Sequence, residues 1–172
     1  NRGMEVKHSI MVKQWNDYFK PKDVLDLGCG RGPYLYFWQS YVPATGLELS
    51  KWAVEHAFCN HIHQGDITDM ETSGHDLVTC IDVLEHIKYK DLNKTIKNII
   101  NACRKGGHIL ISVPVKTDPN FALDKTHIIG EDRYWWIKQF EDEGLKYILP
   151  EEQNQWLFKE QLFIFQNDTR KI

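Results

Sequence analysis

The residues best suited to chemistry in this 172-residue chain are carboxylate and imidazole groups near residues 82–86. Asp82, Glu85 and His86 follow a predicted strand directly, and His127 lies in a predicted loop further along the chain. Mixed carboxylate and imidazole donors fit Mg²⁺, Mn²⁺ or a similar ion, which lowers the pKa of a bound hydroxyl group. Without an ion, Glu85, His86 and His127 are candidate acids or bases, because imidazole titrates near neutral pH. The sequence leaves both alternatives open.

A glycine-rich turn follows a predicted buried strand near the start of the chain. Gly28, Gly30 and Gly32 are spaced two apart after Asp26, and glycine allows a sharp turn and close approach of a ligand to the backbone. Strand, glycine turn and helix start form the layout of a nucleotide site at the carboxyl end of a parallel sheet. The spacing is not the G-x-G-x-x-G of dinucleotide sites, and the turn contains no lysine. These features favour a nucleoside with a charged amino-acid tail over a pyrophosphate.

Acidic residues also follow the other predicted strands. Glu48 ends the second strand, twenty residues after Gly28, and an acid at that position accepts hydrogen bonds from ribose hydroxyls. Asp66 follows the third strand, where it can accept from an adenine amino group, and Asp82 follows the fourth. Because these strand ends converge on one crevice in a doubly wound sheet, the sequence predicts a single nucleoside site there.

Apolar spacing and chain breakers predict the elements that position these residues. The predicted helices cover residues 5–19 within an N-terminal segment 1–20, then 33–40, 51–58 after a cap at Ser50, 91–103 and 131–143. The predicted strands cover residues 23–28, 44–49, 61–64, 76–81, 108–113, 145–149 and 156–166. Gly106 and Gly107 are expected to end the fourth helix, and residues 114–130 to form a long substrate-side loop. Alternating strands and helices predict an α/β, doubly wound parallel sheet with helices on both faces and a final antiparallel hairpin.

Composition limits the classes of function. The net charge of −3 and the pI of about 6.2 give no global basic field for nucleic acid or membrane, and no apolar run approaches membrane-spanning length. The four cysteines form no C-x-x-C pair, which is typical of reduced thiols in an intracellular, cytoplasmic protein. The length predicts one domain over residues 1–172.

In combination, the motifs resemble those of class I S-adenosylmethionine-dependent methyltransferases, in particular small members of methyltransferase type 11 or 12. They are LDLGCGRG at 25–32, GLELS at 46–50, GDI at 65–67, DLV at 76–78, IDVLEHI at 81–87 and KGG at 105–107, all in the family's order. The resemblance implies a Rossmann-like sheet of order 3-2-1-4-5-7-6 with strand 7 antiparallel. It also implies S-adenosylmethionine as cofactor and S-adenosylhomocysteine as product. The implied cofactor site consists of Asp26, Gly28, Cys29, Gly30, Gly32, Glu48, Leu49, Asp66, Ile67, Asp82 and Val83.

The same resemblance implies methyl transfer, for which we predict an oxygen acceptor on a small molecule or sugar. Asp82-x-x-Glu85-His86 is similar to the E-x-x-E-H run of metal-dependent O-methyltransferases of ubiquinone synthesis and of small-RNA 3′ ends. The latter have a further downstream histidine, so Asp82, Glu85, His86 and His127 are candidate ligands for Mg²⁺ or Mn²⁺. Asp82 departs from the glutamate of those families and shortens the reach by one methylene. The same run is also common in metal-free methyltransferases of this class.

Two further functions stay open at this stage. One is a metal-dependent RNA 2′-O-methyltransferase, although the acidic pI does not favour nucleic acid as the partner. The other is a cofactor-binding subunit that has lost catalysis and serves another chain. No membrane partner is expected, and neither the methyl acceptor nor the oligomeric state follows from the sequence.

Overall fold

The structure, a computed structural model, describes residues 2–119, 121–149 and 161–169. Five α-helices and seven strands are present among these residues, with two short 3₁₀ helices at Leu84–His86 and Phe121–Leu123. The helices are α1 (Arg2–Phe19), α2 (Pro33–Trp38), α3 (Lys51–Glu55), α4 (Tyr89–Ala102) and α5 (Arg133–Glu141). The strands are β1 (Val24–Leu27), β2 (Ala44–Glu48), β3 (Ile62–Gln64), β4 (His75–Ile81), β5 (Cys103–Ser112), β6 (Lys146–Ile148) and β7 (Leu162–Gln166).

The seven strands form one sheet in the order β3-β2-β1-β4-β5-β7-β6. Neighbours from β3 to β5 are parallel, whereas β7 is antiparallel to both β5 and β6. The order and the antiparallel β7 confirm the predicted Rossmann-like sheet. The strand order reverses between β1 and β4, and ligands of such sheets bind at the carboxyl ends of the strands beside this reversal.

Alternate side chains of the central strands pack into two separate cores, one on each face of the sheet. On one face, Leu25 and Leu27 of β1 join a cluster with the apolar sides of α4 and α5. On the other face, Val24 of β1 and Leu77 of β4 pack with α1 and α2, including the fully buried Trp15. This arrangement confirms helices on both faces, and it follows from the two-residue period of side chains along a strand.

The end of α4 differs from the prediction. α4 ends at Ala102 and β5 begins at once, so Gly106 and Gly107 lie inside the strand rather than at the end of the helix. The pairing of β4 with β5 shifts register at this point. Gly106 has a φ of 74°, and a Cβ on Gly107 would lie 2.8 Å from the carbonyl oxygen of Asp76. The two glycines therefore lie at an irregularity in the sheet. Gly106 has a backbone conformation that favours glycine, and a side chain at position 107 would collide with the neighbouring strand.

The other boundaries differ by a few residues. In the helices, α3 ends at Glu55 instead of continuing to Phe58, and α5 is two residues shorter at each end than predicted. The last strand is seen as Leu162–Gln166, and residues 156–160 of the prediction lie outside the described residues. The segment between β5 and α5 is the predicted long loop, interrupted by the second 3₁₀ helix. In the part of the chain that the structure describes, no helix combines the length and apolar character needed to cross a bilayer.

Candidate active site

The glycine turn after β1 is packed at one glycine and open at another. Gly28 and Gly30 have φ angles of 67° and 57°, in the region that favours glycine. A Cβ on Gly28 would lie 2.4 Å from Cγ2 of Val83, whereas a Cβ on Gly30 would meet no atom within 4 Å. Gly32, with a φ of 81°, is the N-terminal cap of α2. The turn therefore leaves room for a ligand beside Gly30 and brings Gly28 against the residue that follows Asp82.

The carboxylate of Glu48 holds this turn in place from the end of β2. Its Oε2 accepts from the backbone N–H of Gly30 at 2.8 Å, and its Oε1 accepts from that of Ser50 at 2.7 Å. An ionised carboxylate can accept about four hydrogen bonds, so acceptor positions remain for ribose hydroxyls. Leu49, the next residue, exposes 65% of its surface and is free to contact a ligand.

Asp26 is a buried carboxyl group beneath the glycine turn. Its exposed fraction is 2%, and its Oδ1 accepts from the hydroxyl of Thr79 at 2.6 Å. Burial raises the pKa of Asp26 to about 7 because a charge in an apolar interior loses its hydration. A cationic group nearby would favour the ionised form, so the site fits the amino group of an amino-acid tail.

The remaining predicted cofactor residues lie around the same strand ends. Cys29 is buried, and burial raises the pKa of its thiol, so its role is packing against Gly46 rather than nucleophilic chemistry. Asp66 is exposed after β3 and accepts from the backbone N–H of Thr68 at 2.8 Å. Ile67 is buried in the core beside it. Their contacts with a cofactor stay a prediction.

Replacing Glu48 with alanine should weaken cofactor binding. Glu48→Ala removes the predicted acceptor for two ribose hydroxyls and also releases the N–H of Gly30. We expect the dissociation constant of S-adenosylhomocysteine to rise by about tenfold or more, since a charge-assisted hydrogen bond contributes about 1.5–3 kcal/mol. Calorimetric titration measures this change. Glu55→Ala is the matched control, because Glu55 is an exposed glutamate that pairs with Lys51 on the surface of α3; equal affinities for both variants would contradict the placement of the ribose.

Glu85, His86 and His127 converge at the end of β4. Each offers one ligand atom, and these atoms all lie within 4.8 Å of one another. Oε1 of Glu85 is 3.9 Å from Nε2 of His86 and 3.9 Å from Nε2 of His127, and the two imidazole rings pack edge to face. The loop that carries His127 is held on Glu85 itself, whose carbonyl oxygen accepts from the N–H groups of Ile128 and Ile129. The three side chains are thus close enough to bind one cation.

Hydrogen bonds on the far side of each ring define which nitrogen faces the cluster. Nδ1 of His127 lies 2.9 Å from the carbonyl oxygen of Phe121, which can only accept, so Nδ1 carries the proton. Nδ1 of His86 lies 3.2 Å from the carbonyl oxygen of Thr126 and is assigned in the same way. In the neutral ring, Nε2 then has the lone pair, and both Nε2 atoms lie 3.9 Å from Oε1 of Glu85. A ligating histidine commonly donates its other N–H in this manner.

Glu85 is buried without compensation. Its exposed fraction is 1%, and neither carboxylate oxygen has a hydrogen-bond partner among the described residues. Burial is the main cause that raises the pKa of Glu85 to about 8, and the charge of Asp82 acts in the same direction. A buried carboxylate without a hydrogen bond is unfavourable unless it takes up a proton, pairs with a protonated imidazole or shares a cation with the two nitrogens. The donor set therefore fits a divalent cation.

The structure does not bring Asp82 into this cluster, contrary to the prediction of four ligands. Asp82 lies outside the group formed by Glu85, His86 and His127. Its Oδ1 accepts from the hydroxyl of Ser112 at 2.6 Å, and its backbone has a φ of 56°. The hydroxyl of Ser112 at the end of β5 thus holds the Asp82 carboxylate, and the contact of Asp82 with a cofactor stays a prediction.

Asp124 and Thr126 were not identified as site residues from the sequence. The hydroxyl of Thr126 lies 3.0 Å from Nδ1 of His86 and donates to Oδ1 of Asp124 at 2.6 Å. The pattern Asp-x-Thr just before His127 is typical of a side-chain turn, because aspartate bonds to the backbone two residues on. That signal could have indicated an ordered turn beside the histidine, although not its contact with His86.

Comparisons with known proteins agree with the fold and identify the family. The model of a family described as a methyltransferase domain matches residues 10–162. A solved S-adenosylmethionine-dependent methyltransferase from Archaeoglobus fulgidus superposes with a TM-score of 0.74 at 17% identity, over 94% of this chain and 92% of that protein. At this identity the likeness concerns the fold.

Two curated relatives match at the sequence level. A small RNA 2′-O-methyltransferase from Xenopus tropicalis is 25% identical over 126 residues, which are 60% of this chain and 34% of that protein. A ubiquinone biosynthesis O-methyltransferase from Idiomarina loihiensis is 24% identical over 156 residues, 82% of this chain and 61% of that protein. The chain thus spans less than two thirds of the length of either relative. It belongs to the methyltransferase domain family, whose model covers most of its length.

Proposed function

We propose that this chain transfers the methyl group of S-adenosylmethionine to a hydroxyl oxygen, with Glu85, His86 and His127 holding a divalent cation beside the acceptor. The observation that carries the proposal is the convergence of a buried carboxylate, which has no hydrogen-bond partner among the described residues, with two imidazole Nε2 atoms 3.9 Å away. Both curated relatives are O-methyltransferases by name, which supports an oxygen acceptor.

The chain's own residues align the methyl donor with the acceptor hydroxyl. Methyl transfer breaks the bond between sulfur and the methyl carbon and forms a bond between that carbon and the acceptor oxygen, so the hydroxyl must lose its proton. Bound at the cluster, Mg²⁺ or Mn²⁺ would lower the pKa of that hydroxyl. With all three side chains engaged as ligands, the hydroxyl would release its proton to water. The cofactor crevice at Gly30 and the cluster both lie at the carboxyl edge of the sheet, which suits a direct transfer.

The acceptor proposed here is an organic molecule or sugar with two neighbouring hydroxyl groups. Mg²⁺ and Mn²⁺ prefer about six ligands, and three protein ligands leave positions for two oxygens of one substrate. The loop beside the cluster presents apolar side chains to solvent, since Leu123 and Ile128 expose 78% and 47% of their surfaces. These residues suit the carbon skeleton of a small acceptor. A terminal ribose of RNA also has two neighbouring hydroxyl groups, so RNA is the alternative acceptor.

Two experiments test the proposal: titration of the protein with Mn²⁺, and methylation assays with pairs of acceptors that differ in their hydroxyl groups. Protein saturated with S-adenosylhomocysteine should bind one Mn²⁺, and turnover should need the metal. A catechol or a ribonucleoside should be methylated, whereas phenol or the 2′,3′-dideoxynucleoside should not, and an RNA oligonucleotide should be compared with its periodate-oxidised form. Preference for the oligonucleotide would establish RNA as the acceptor class. Turnover that persists undiminished in EDTA would contradict the cation and leave His86 or His127 as a metal-free base.

A further inference from the structure

The turn formed by residues 124–126 lies against the cluster and has no role in the function proposed above. We propose that Asp124 and Thr126 are positioning residues that direct the Nε2 atoms of His86 and His127 at Glu85. This inference rests on the proposed function, because it concerns how the same cluster is prepared for a cation. Nothing in the E-x-x-E-H resemblance includes either residue.

Thr126 links the ring of His86 to the turn through two hydrogen bonds. Its hydroxyl donates to Oδ1 of Asp124 at 2.6 Å, and a hydroxyl has one proton to donate. Toward Nδ1 of His86, 3.0 Å away, the same oxygen is therefore an acceptor. The carbonyl oxygen of Thr126 is a second acceptor for that N–H at 3.2 Å. Both contacts require the proton on Nδ1, which leaves the Nε2 lone pair of His86 for the cluster.

Asp124 fixes the turn with one carboxylate oxygen and faces the cluster with the other. Oδ1 accepts from both the hydroxyl and the backbone N–H of Thr126, and these bonds hold the pKa of Asp124 below its ordinary range. Oδ2 lies 3.8 Å from Nε2 of His127. Asp124 thus places a second negative charge near the cation position, where the sequence predicted the carboxylate of Asp82.

The turn is anchored on both sides, so its geometry fixes the rings. On one side, the backbone N–H groups of Ile128 and Ile129 donate to the carbonyl oxygen of Glu85. On the other side, the ring of His127 donates to the carbonyl of Phe121 and packs against the Phe121 ring. Loosening the bond between Asp124 and Thr126 should therefore alter the direction of the imidazoles without removing any ligand atom.

Mn²⁺ affinity tests the inference, with S-adenosylhomocysteine bound and no acceptor present. Thr126→Val keeps the shape of the side chain but loses both hydroxyl bonds, and should weaken Mn²⁺ binding by about 10- to 100-fold, as substitutions of such ligand-orienting partners do. Thr126→Ser retains the hydroxyl and should restore the affinity to within about threefold, on the same scale. Thr117→Val is the control from the same exposed loop and should have no effect. Unaltered binding in Thr126→Val would overturn the inference.

The charge of Asp124 is tested by a substitution that keeps its oxygen. Asp124→Asn retains an acceptor for the Thr126 hydroxyl but removes the negative charge near His127. We expect Mn²⁺ binding to weaken by about tenfold, within the range for such partners, and an unchanged affinity would show that Asp124 does not act on the cluster.

A second measurement needs no metal and separates this inference from the proposed function. Nitrogen NMR of the two histidines, in protein treated with EDTA, should find the proton of His86 on Nδ1. A proton on Nε2 of His86 would overturn the positioning role whether or not a metal binds. Conversely, if the protein binds no Mn²⁺ while His86 has the expected tautomer, the proposed function fails and the positioning of the ring stands.

Discussion

Glu85→Gln should abolish Mn²⁺ binding and lower the rate of methyl transfer by about 10²- to 10⁴-fold, because the acceptor hydroxyl would lose the ion that lowers its pKa, an effect of several kcal/mol. The amide has no negative charge, and its NH₂ group would donate to the Nε2 lone pairs that a cation needs. Calorimetric titration with Mn²⁺ and transfer of a labelled methyl group measure the two effects. The affinity for S-adenosylhomocysteine should stay within about twofold, because the carboxylate that bonds to the glycine turn belongs to Glu48 and not to Glu85; this also reports that the variant is folded.

Asp82→Asn is the matched control, since Asp82 and Glu85 are carboxylates only three positions apart. Asp82 bonds to Ser112 and lies outside the cluster, so Asp82→Asn should leave Mn²⁺ affinity unchanged. Its effect should fall on the cofactor, because Asp82 directly precedes Val83, which packs against Gly28 of the glycine turn. If Asp82→Asn failed to bind Mn²⁺ while Glu85→Gln still bound it, Asp82 and not Glu85 would be the ligand, and the assignment made above would be wrong.

The fold and the meeting of the glycine turn with Glu48 could be predicted because their signals are local. The glycine turn after β1 and the acid at the end of β2 each depend on residues adjacent in sequence, and parallel strands bring their carboxyl ends together whatever the packing details. Glu48 illustrates this point, since its position at a strand end was enough to place it beside Gly30.

The cation cluster was predicted only in part because it depends on contacts between distant segments. His127 approaches Glu85 through backbone bonds that cross some forty residues, and no periodicity in the loop signals them. The orientation of Asp82 depends on Ser112 at the end of β5 and on a positive φ, which an aspartate adopts only in particular turns. The glycines at 106–107 were assigned to the end of a helix because the local sequence does not show that β4 lies beside them, where the carbonyl oxygen of Asp76 leaves no room for a Cβ at position 107.

The stability of the metal-free protein should fall as the pH rises from about 5 to 8, and Glu85 should be a cause. The pKa of Glu85 in the folded chain is about 8, against an ordinary value of 4.5. Between these values the folded state holds a proton that the unfolded state has lost, so the free energy of unfolding decreases with pH. Each unit of pKa shift corresponds to about 1.36 kcal/mol, which gives a loss on the order of a few kcal/mol.

Comparison with Glu85→Gln isolates this contribution, because the amide does not titrate while Asp82, Asp124, His86 and His127 remain in both proteins. In EDTA, the stability of Glu85→Gln relative to the unsubstituted chain should rise steadily between pH 5 and pH 8, as measured by urea denaturation. Added Mn²⁺ at pH 8 should reverse the order, because a ligand that binds only the folded state stabilises it and only the unsubstituted chain offers the carboxylate. A difference that does not vary with pH would mean that Glu85 is already ionised without a metal, and that the buried carboxylate has a partner other than the proposed cation.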